Sequence, residues 1–492
     1  MTTAEQKETP LDNIESVETV DVEALNTRVT GALYKKREKI FPRRVRGTFR
    51  SLKWLVMTIT LAIYYLTPWL RWDRGGEAPD QAILIDIPAR RFYFFFIEIW
   101  PQEIYYITGI LVIAALALFL FTSVAGRIWC GYSCPQTVWV DLFLIIERFI
   151  EGDRNARIRL EKARWSLSKI AKRVAKHAIW LVIATLTGGA WVFYFADAPT
   201  LLVDLFTLQA DEIAYITVAV LTATTYTFGG MAREQVCTYM CPWPRIQSAM
   251  IDEESLIISY QKHRGEPRGR GARREGLGDC VSCNQCVVVC PMGIDIRDGM
   301  QLECISCALC VDACNGIMDK TGKPRGLIGY NILANLDTGN ALQRGRLRLL
   351  RPRTIMYGGL IAVVGAIMLA ALVSRPTLEL NLQRDRNPLF VSLSNGDIRN
   401  GYTLKILNKI HQTRHYRLQL DGLPGATVKV IGRDDGAARF TVKADRLASF
   451  RGLISTAKAN LKSETTDITL RILDQADGTS AGNDTVFRGP HK

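Results

Sequence analysis

Several features are missing from this sequence, and each absence excludes a class of protein. Cysteine is absent before Cys130 and after Cys314, although the chain of 492 residues contains 12 cysteines. The C-terminal third therefore cannot contain disulfides. No C-x-x-C-H motif occurs, which argues against covalently attached haem. The amino terminus has no basic patch followed by an apolar stretch, so we expect no cleaved signal peptide.

Lysine and arginine are missing from one stretch, Asp197–Glu212, although the net charge of the chain is +14. The basic residues are concentrated in the four runs Lys35–Lys53, Arg154–Lys176, Lys262–Arg274 and Arg344–Arg353. Basic runs also occur in nucleic-acid-binding proteins. Here the runs adjoin the ends of apolar segments, which favours anchoring at the anionic inner leaflet. Membrane lipid is therefore a predicted partner, and nucleic acid is not.

Apolar runs of membrane-spanning length account for much of the 48% hydrophobic content. A crossing needs about 20 mostly apolar residues, and five runs fit: Trp54–Leu70, Ile104–Ala125, Ala178–Ala196, Ile213–Met231 and Ile355–Ser374. Buried core helices of a soluble protein are the alternative, but such helices seldom lack charge on every face. Positive residues mark the cytoplasmic side. We therefore expect a multi-pass protein of the bacterial inner membrane, with a cytoplasmic amino terminus and a periplasmic C-terminal domain.

The remaining composition divides the chain into five parts. Residues 1–33 are acidic and without periodicity, which predicts a disordered tail, and residues 34–260 form a membrane domain with the first four spans. Residues 261–343 contain a Pro-, Gly- and Arg-rich linker and a cysteine-rich segment, residues 344–375 form the last span, and residues 376–492 form an external domain. Within the membrane domain, apolar residues at helical spacing predict a basic surface helix over Leu160–Ala178.

The external domain has the alternation of a β-protein. The segments "GYTLKILNK", "HYRLQL", "TVKVIG", "FTVKA" and "DITLRIL" alternate apolar and polar residues and are separated by Asn-Gly, Asp-Gly and Pro-Gly turn signals. This pattern predicts an Ig-like antiparallel β-sandwich. His411 and His415 could be copper ligands, but two surface polar residues beside a turn are the preferred interpretation.

The clearest chemistry lies in two runs of C-x2-C-x2-C-x3-C. Such runs hold 4Fe–4S clusters in two-cluster ferredoxins, where the fourth cysteine of each run binds the other cluster. Cluster A is therefore assigned Cys280, Cys283, Cys286 and Cys314, and cluster B is assigned Cys304, Cys307, Cys310 and Cys290. Zinc sites pair two C-x2-C knuckles instead. Asn315 replaces the usual final proline, and we expect an Asn315→Pro change to keep the iron content.

Two further pairs of thiols follow the second and fourth predicted spans. Each pair belongs to a C-x-Y-x-C-P motif, which suggests a repeated two-helix unit that brings all four thiols together: Cys130, Cys134, Cys237 and Cys241. All 12 cysteines then lie at the cytoplasmic face, where thiols stay reduced. The four thiols could hold Cu(I), another iron–sulfur centre or zinc, or each pair could be redox-active. Small buried structural residues are the remaining interpretation.

The whole arrangement resembles a known family. Duplicated C-x3-C-P motifs followed by a two-cluster segment are similar to the NapH/NosR-type membrane ferredoxins. The segments "KIFPRRVRGTFR", "IWPQEIYY", "RGEPRG" and "GKPRGLI", with a last span leading to a β-sandwich, resemble the CcoG/FixG (RdxA) family over nearly the whole chain from about Tyr34. These are accessory proteins of cbb3-type cytochrome c oxidase.

The resemblance implies a multi-domain protein: a polytopic α-helical membrane domain of about five spans, an inserted two-cluster ferredoxin-like segment and a C-terminal Ig-like β-sandwich. It implies a cupric reductase, an oxidoreductase that supplies Cu(I) for oxidase assembly. The implied partners are cbb3-type oxidase subunits, copper chaperones or transporters, and an unidentified cytoplasmic electron donor. The oligomeric state, including a homodimer, stays open. The alternatives are a quinol-linked electron-transfer subunit and a non-enzymatic redox sensor or scaffold.

Overall fold

The computed structural model describes residues 17–24, 39–75, 78–270, 276–332, 335, 348–431, 439–461 and 463–490. The chain divides into two compact units. The first contains Met1–Leu70 and Ala82–Met368, and the second contains Arg71–Gln81 and Leu369–Lys492.

The first unit is mainly helical. Its helices are Thr48–Leu66 (α1), Tyr105–Ala125 (α2), Ile128–Tyr132 (α3), Pro135–Glu151 (α4), Arg154–Lys162 (α5), Leu167–Thr187 (α6), Ala198–Thr207 (α7), Glu212–Thr225 (α8), Trp243–Met250 (α9), Lys262–Gly265 (α10), Gln285–Val288 (α11), Leu309–Lys320 (α12) and Pro352–Val373 (α13). Two segments after α8 are wound as π-helix, Tyr226–Ala232 and Val236–Met240. Such π-turns are rare and often mark functional sites.

The predicted membrane-spanning domain is confirmed. In the described part of the chain, four helical segments are long and apolar enough to cross a membrane: Pro101–Ala125, Leu167–Tyr194, Glu212–Ala232 and Pro352–Val373. They correspond to the second to fifth predicted spans. The first predicted span differs, because α1 begins with a polar turn that includes Arg50 and Lys53.

The end of α1 nevertheless lies beside the end of α6. The Tyr64 hydroxyl donates to the Thr187 carbonyl at 2.6 Å, and the Tyr194 hydroxyl donates to the Tyr64 carbonyl at 2.8 Å. A 3₁₀ turn over Thr67–Trp69 extends α1 further. At about 1.5 Å per residue, the combined segment is about 33 Å long, which is enough for a crossing.

The predicted surface helix over Leu160–Ala178 is wrong in its extent. The chain ends α5 at Lys162 and begins a new helix at Leu167. Ser166 is the reason, because its side-chain oxygen accepts the Lys169 N–H at 3.2 Å and caps the new helix. The basic turns that follow therefore belong to the spanning helix α6.

Short sheets complete the first unit. The aromatic-rich connection after α1 forms a three-stranded antiparallel sheet of Ile83–Asp86 (β1), Arg91–Phe94 (β2) and Ile97–Ile99 (β3). The strands Leu256–Tyr260 (β4) and Ile328–Ile332 (β5) pair antiparallel on either side of the cysteine-rich segment. This pairing brings the two ends of that segment together.

The predicted β-sandwich is confirmed in the second unit. Its strands are Leu378–Arg384 (β6), Val391–Ser392 (β7), Asp397–Asn408 (β8), Arg414–Asp421 (β9), Thr427–Val430 (β10), Arg439–Val442 (β11), Arg446–Ala457 (β12), Thr465–Asp474 (β13) and Ser480–Arg488 (β14). One sheet has the order β10-β12-β8-β6 with β7 on β8, and the other has the order β11-β9-β13-β14. Buried residues of both sheets, including Tyr402, Phe440 and Ile472, form one core.

Part of the predicted disordered tail is ordered. Residues 17–24 run in extended form along the cysteine-rich segment, while the rest of residues 1–33 lies outside the described residues. The Val20 N–H donates to the Cys283 carbonyl at 3.2 Å, and the Asn284 amide donates to the Val20 carbonyl at 2.9 Å. The acidic composition did not reveal these contacts, because the tail makes them through its backbone, to a loop that is distant in sequence.

Candidate metal centres

The two cysteine runs fold into equivalent loops. In the first loop, Ser282 and Asn284 have φ values of 51° and 57°, and in the second, Ser306 and Ala308 have φ values of 54° and 58°. These residues stand directly before and after the second cysteine of each run. Left-handed conformations are uncommon for residues other than glycine. Their recurrence at equivalent positions indicates two copies of one loop.

Each loop lines its own cavity, and the fourth cysteine comes from the other run. The thiols around the first cavity are those of Cys280, Cys283, Cys286 and Cys314. The second cavity is lined by Cys290, Cys304, Cys307 and Cys310, with Cys286 at its edge. This is the crossed grouping that the spacing predicts.

The chemistry of these thiols fits iron–sulfur clusters. Burial raises the pKa of Cys304 to about 11 and the pKa values of Cys290 and Cys314 to about 12. Buried thiolates therefore need compensating positive charge, which a metal centre supplies. Among the described residues, no three thiols have all their sulfur atoms within 4.8 Å of one another. A single ion with metal–sulfur bonds of about 2.3 Å would need closer sulfur atoms, so this wider spacing suits a multi-iron cluster better.

The two cavities have different cationic neighbours. The spacing of the cysteines gave no indication of these residues. Arg297 lines the first cavity, is 9% exposed and pairs with Asp295 at 2.5 Å. Its Nη2 also donates to the Asn284 side-chain oxygen at 2.9 Å. Beside the second cavity, the charge of the buried Lys53 lowers the pKa of Cys307, although burial of that thiol raises it more. Each cation is paired with a carboxylate, Arg297 with Asp295 and Lys53 with Asp141, so each cavity lies beside a buried ion pair.

The structure also brings the four membrane-edge thiols together. Burial, together with the nearby thiols of Cys134, Cys130 and Cys241, raises the pKa of Cys237 to about 12. The Cys130 thiol donates to the Gln247 side-chain oxygen at 3.1 Å, and Gln247 is 1% exposed. The residues that the sequence paired by motif thus form one group of four.

The backbone repeats at the two motifs. Cys134 has φ −60° and ψ 129°, and Cys241 has φ −79° and ψ 125°. Each backbone N–H donates to the carbonyl five residues earlier, at 3.0 Å for Cys134 and 2.8 Å for Cys241. A following proline restricts the preceding residue to this extended region. The prolines of the two motifs therefore hold both cysteines in the same conformation.

Polar contacts join the two halves of the repeat. The Gln136 amide donates to the carbonyls of Phe228 and Arg233, at 2.8 and 3.1 Å. Arg233 also pairs with the buried Glu147 at 2.6 Å. Both links run from α4 to the π-wound segment after α8. They stabilise the approach of the two C-x-Y-x-C-P motifs.

The first motif lies directly on the second cysteine loop. A Cβ atom added to Gly131 would come within 2.6 Å of the Ile305 carbonyl oxygen and 3.0 Å of the Cys307 nitrogen. The Tyr132 hydroxyl donates to the Cys307 carbonyl at 3.3 Å. Only glycine allows this approach of α3 to the loop.

The membrane-edge thiols and the second cavity share their lining. Pro291, Met292 and Ile305 line the second cavity and also lie beside Cys237 in a neighbouring small cavity. Cys130 and Cys237 pack on the same apolar cluster as Cys290 and Cys304. A single layer of side chains therefore separates the two groups of thiols.

A buried arginine connects the two groups electrostatically. Arg127 is 5% exposed and donates to the Leu302 carbonyl. Its charge lowers the pKa values of Cys130, Cys237 and Cys304, although burial of each thiol raises that pKa more. Arg127 stands three residues before Cys130, outside the C-x-Y-x-C-P motif, so the motif did not indicate it.

The ferredoxin-like segment also caps the first helix of the membrane domain. Asp312, between Cys310 and Cys314, accepts the N–H groups of Phe49 and Arg50 at 3.2 and 2.7 Å. A Cβ atom added to Gly47 would come within 2.3 Å of the Asp312 carboxyl carbon. Glycine at the start of α1 provides no capping side chain, and Asp312 takes that role.

The two histidines of the sandwich have separate partners. His411 Nδ1 lies 2.7 Å from Asp445 Oδ2, and His415 Nδ1 lies 3.0 Å from Thr441 Oγ1. Their interpretation as polar surface residues stays a prediction.

Comparison with known proteins matches family models to three parts of the chain. A "4Fe-4S binding domain" matches residues 107–151, and a "4Fe-4S dicluster domain" matches residues 232–332. Together these ranges include all 12 cysteines. An "IG-like fold at C-terminal of FixG" matches residues 368–490.

Nitrogen fixation protein FixG of Rhizobium meliloti is 55% identical over 474 residues, which cover 89% of this chain and 90% of that protein. The chain belongs to the FixG family. Protein RdxB of Cereibacter sphaeroides is 52% identical over a match that covers 94% of this chain and 98% of RdxB. Protein RdxA of the same organism is 54% identical over a match that covers 81% of this chain and 86% of RdxA. Membership of the FixG family and the matched domains make this chain a membrane iron–sulfur electron-transfer protein and an oxidoreductase.

Proposed function

We propose that this FixG-family protein reduces Cu(II) to Cu(I) for the assembly of cbb3-type cytochrome c oxidase. One electron reduces each Cu(II), and an unidentified cytoplasmic donor supplies it. The proposed metal ligands at the membrane edge are Cys130, Cys134, Cys237 and Cys241. The proposed ligands of the two 4Fe–4S clusters are Cys280, Cys283, Cys286 and Cys314 for cluster A and Cys290, Cys304, Cys307 and Cys310 for cluster B.

The observation that carries this proposal is the single shared layer of Pro291, Met292 and Ile305 between the two groups of thiols. Bound iron–sulfur clusters would supply one-electron storage. The four soft sulfur donors lie in one largely buried group, and their sulfur atoms would move closer to one another on binding a single copper ion. Soft thiolates prefer Cu(I) to Cu(II), so such a site favours the reduced product.

Sidedness belongs to the same proposal. The cysteine-rich segment faces the cytoplasm and the β-sandwich the periplasm, which follows from the positive-inside rule and five crossings. The oxidase subunits, copper carriers or transporters would receive Cu(I) from the membrane-edge site. A partner with thiol or thioether ligands would suit that transfer.

The test replaces Cys134 and Cys241 together with serine. Serine keeps the size of the side chain but is a poor ligand for a soft metal. We expect the rate of Cu(II) reduction by dithionite-reduced protein to fall at least tenfold, while the absorption and EPR signals of two 4Fe–4S clusters persist. Cu(I) is followed with a chromogenic chelator.

The matched control replaces Thr238 with serine, because this residue lies in the second motif but is not a proposed ligand, and serine keeps the hydroxyl that donates to the Glu234 carbonyl. Reduction by the double variant at the rate of the parent protein would refute the copper site. Loss of the cluster signals would instead assign the four thiols to an iron–sulfur centre. Metal analysis of the anaerobically purified protein separates these outcomes.

A further inference from the structure

A cavity of about 340 Å³ lies in the membrane domain, between α1, α4, α6 and α8. It is separate from the two cysteine-lined cavities of the ferredoxin-like segment. Cavities that bind drug-sized ligands begin at about 300 Å³. This one is therefore large enough for a small organic molecule.

The lining is neutral and rich in rings. Leu61, Tyr64, Trp139 and Trp191 contribute apolar and aromatic surface, and none of the described residues that line the cavity is charged. The rings of Tyr64 and Trp191 are nearly parallel, with an interplanar angle of 16° and centroids 6.4 Å apart. Aromatic rings favour offset stacking on flat partners. The cavity therefore suits a neutral molecule with a flat ring.

The cavity opens on the apolar surface of the helices. Trp191 is 45% exposed and belongs to the membrane-spanning segment Leu167–Tyr194. Leu186, near the end of α6, is 59% exposed, as expected for a surface that faces lipid. A ligand would therefore enter from the hydrocarbon phase and would need an apolar tail or body.

The other end of the cavity reaches the first C-x-Y-x-C-P motif. Ser133 and Pro135, the residues on either side of Cys134, both line the cavity. The Ser133 hydroxyl can donate a hydrogen bond to a ligand oxygen. A bound molecule would lie within one residue of a thiol of the membrane-edge group, which favours a ligand with redox chemistry.

We propose that this cavity binds a membrane-dissolved molecule of the quinone class, with a flat neutral ring, two ring oxygens and an apolar tail. Lipid acyl chains match the apolar walls but have neither a ring to stack on Tyr64 and Trp191 nor an oxygen for Ser133. The binding site goes beyond the proposed copper chemistry and is tested without copper.

The test uses the full-length protein in phosphatidylcholine nanodiscs with a photoreactive azido-benzoquinone that has a decyl tail. After illumination, labelled peptides are mapped by mass spectrometry. We expect label on peptides that contain Trp139 or Trp191. A tenfold excess of unlabelled decyl-benzoquinone should remove this label, whereas the same excess of decanol should not.

Two variants of α1 provide the matched comparison. Leu61→Trp fills the cavity and should reduce labelling at least tenfold. Ile63→Trp adds the same ring to a side chain that is 63% exposed, and labelling should be unchanged. Iron content is measured in both variants, so that loss of the fold is distinguished from loss of the site.

Equal labelling of Leu61→Trp and the parent protein, with iron content retained, would overturn the proposal. Displacement of the probe by decanol as effectively as by decyl-benzoquinone would also overturn it and would assign the cavity to an acyl chain. Neither result depends on Cu(II) reduction, so the proposed function can fail or succeed independently.

Discussion

At the scale of single residues, the difference between Pro291 and Asn315 sets the lengths of two helices. Both residues follow the last cysteine of a run. α11 ends at Val288, before Pro291, whereas α12 continues through Cys314 and Asn315 to Lys320. Proline has no N–H and clashes with the preceding turn of a helix. Asparagine allows the helix to continue, and its side-chain oxygen accepts the Gly326 N–H at 3.0 Å.

This placement reverses the expectation that Asn315→Pro would keep the iron content. Proline inside α12 should cost about 3 kcal/mol of stability or more. We expect a lower unfolding temperature and loss of iron from the site that includes Cys314. Iron and sulfide analysis with thermal unfolding would measure both.

Asn315→Ala is the control for this substitution. It removes only the hydrogen bond to Gly326, which should cost about 1 kcal/mol, and it should retain the iron of the parent protein. Full iron content in Asn315→Pro would show that α12 tolerates a break at this position.

At the scale of elements, the membrane domain and the ferredoxin-like segment are joined through helix ends. Asp312 of α12 caps α1, and α3 packs through Gly131 on the backbone of the second loop. These contacts involve backbone groups, which have little freedom to move. The position of the second cysteine loop relative to the membrane-edge thiols should therefore be sensitive to small additions at α3.

Gly131→Ala tests this contact. The added methyl group would meet the Ile305 carbonyl and the backbone of Cys307, so α3 and the loop must separate. Overpacking of this kind costs about 1–3 kcal/mol. We expect slower Cu(II) reduction by at least tenfold, with both cluster signals still present.

Gly365→Ala in α13 is the matched control, because a Cβ atom there would meet nothing within 4 Å. It should leave the reduction rate unchanged and should not lower the unfolding temperature, because alanine is the better helix former. A parent-like rate in Gly131→Ala would mean that the close approach of α3 to the loop is not needed for electron transfer.

At the scale of the whole molecule, the number of crossings decides which side of the membrane each part faces. Four helical segments of the described chain meet the length and composition of a span. We expect α1 with its 3₁₀ extension to be the fifth, because it is long enough and its end contacts α6 at Tyr64. An odd number of crossings would place the amino terminus and the β-sandwich on opposite sides.

Fusions of alkaline phosphatase test the number of crossings. With α1 as a span, the enzyme should be active when fused after Lys492 and inactive when fused after Gly322, because it folds only in the periplasm. A cytoplasmic reporter such as β-galactosidase, fused at the same positions, should give the opposite pattern. Equal phosphatase activity at both positions would contradict the topology.

The sequence by itself determined the features that depend on neighbouring residues. The spacing of the cysteines indicated two ferredoxin-like loops with crossed cysteines, apolar length predicted the spans, and alternation predicted the sandwich. Five of its nine strands could be recognised. β12 and β14 could not be recognised, because apolar and polar residues do not alternate regularly along them. These two strands form by pairing with β8 and β13.

Only the tertiary structure decided which distant residues meet. Asp312 caps a helix that begins more than 260 residues earlier, with 263 residues separating it from Phe49. Arg127 lies among thiols of three separate segments, and the membrane cavity combines four helices. Periodicity describes which face of an element is apolar. It contains no information on which other element covers that face, because this choice depends on packing among all the helices at once.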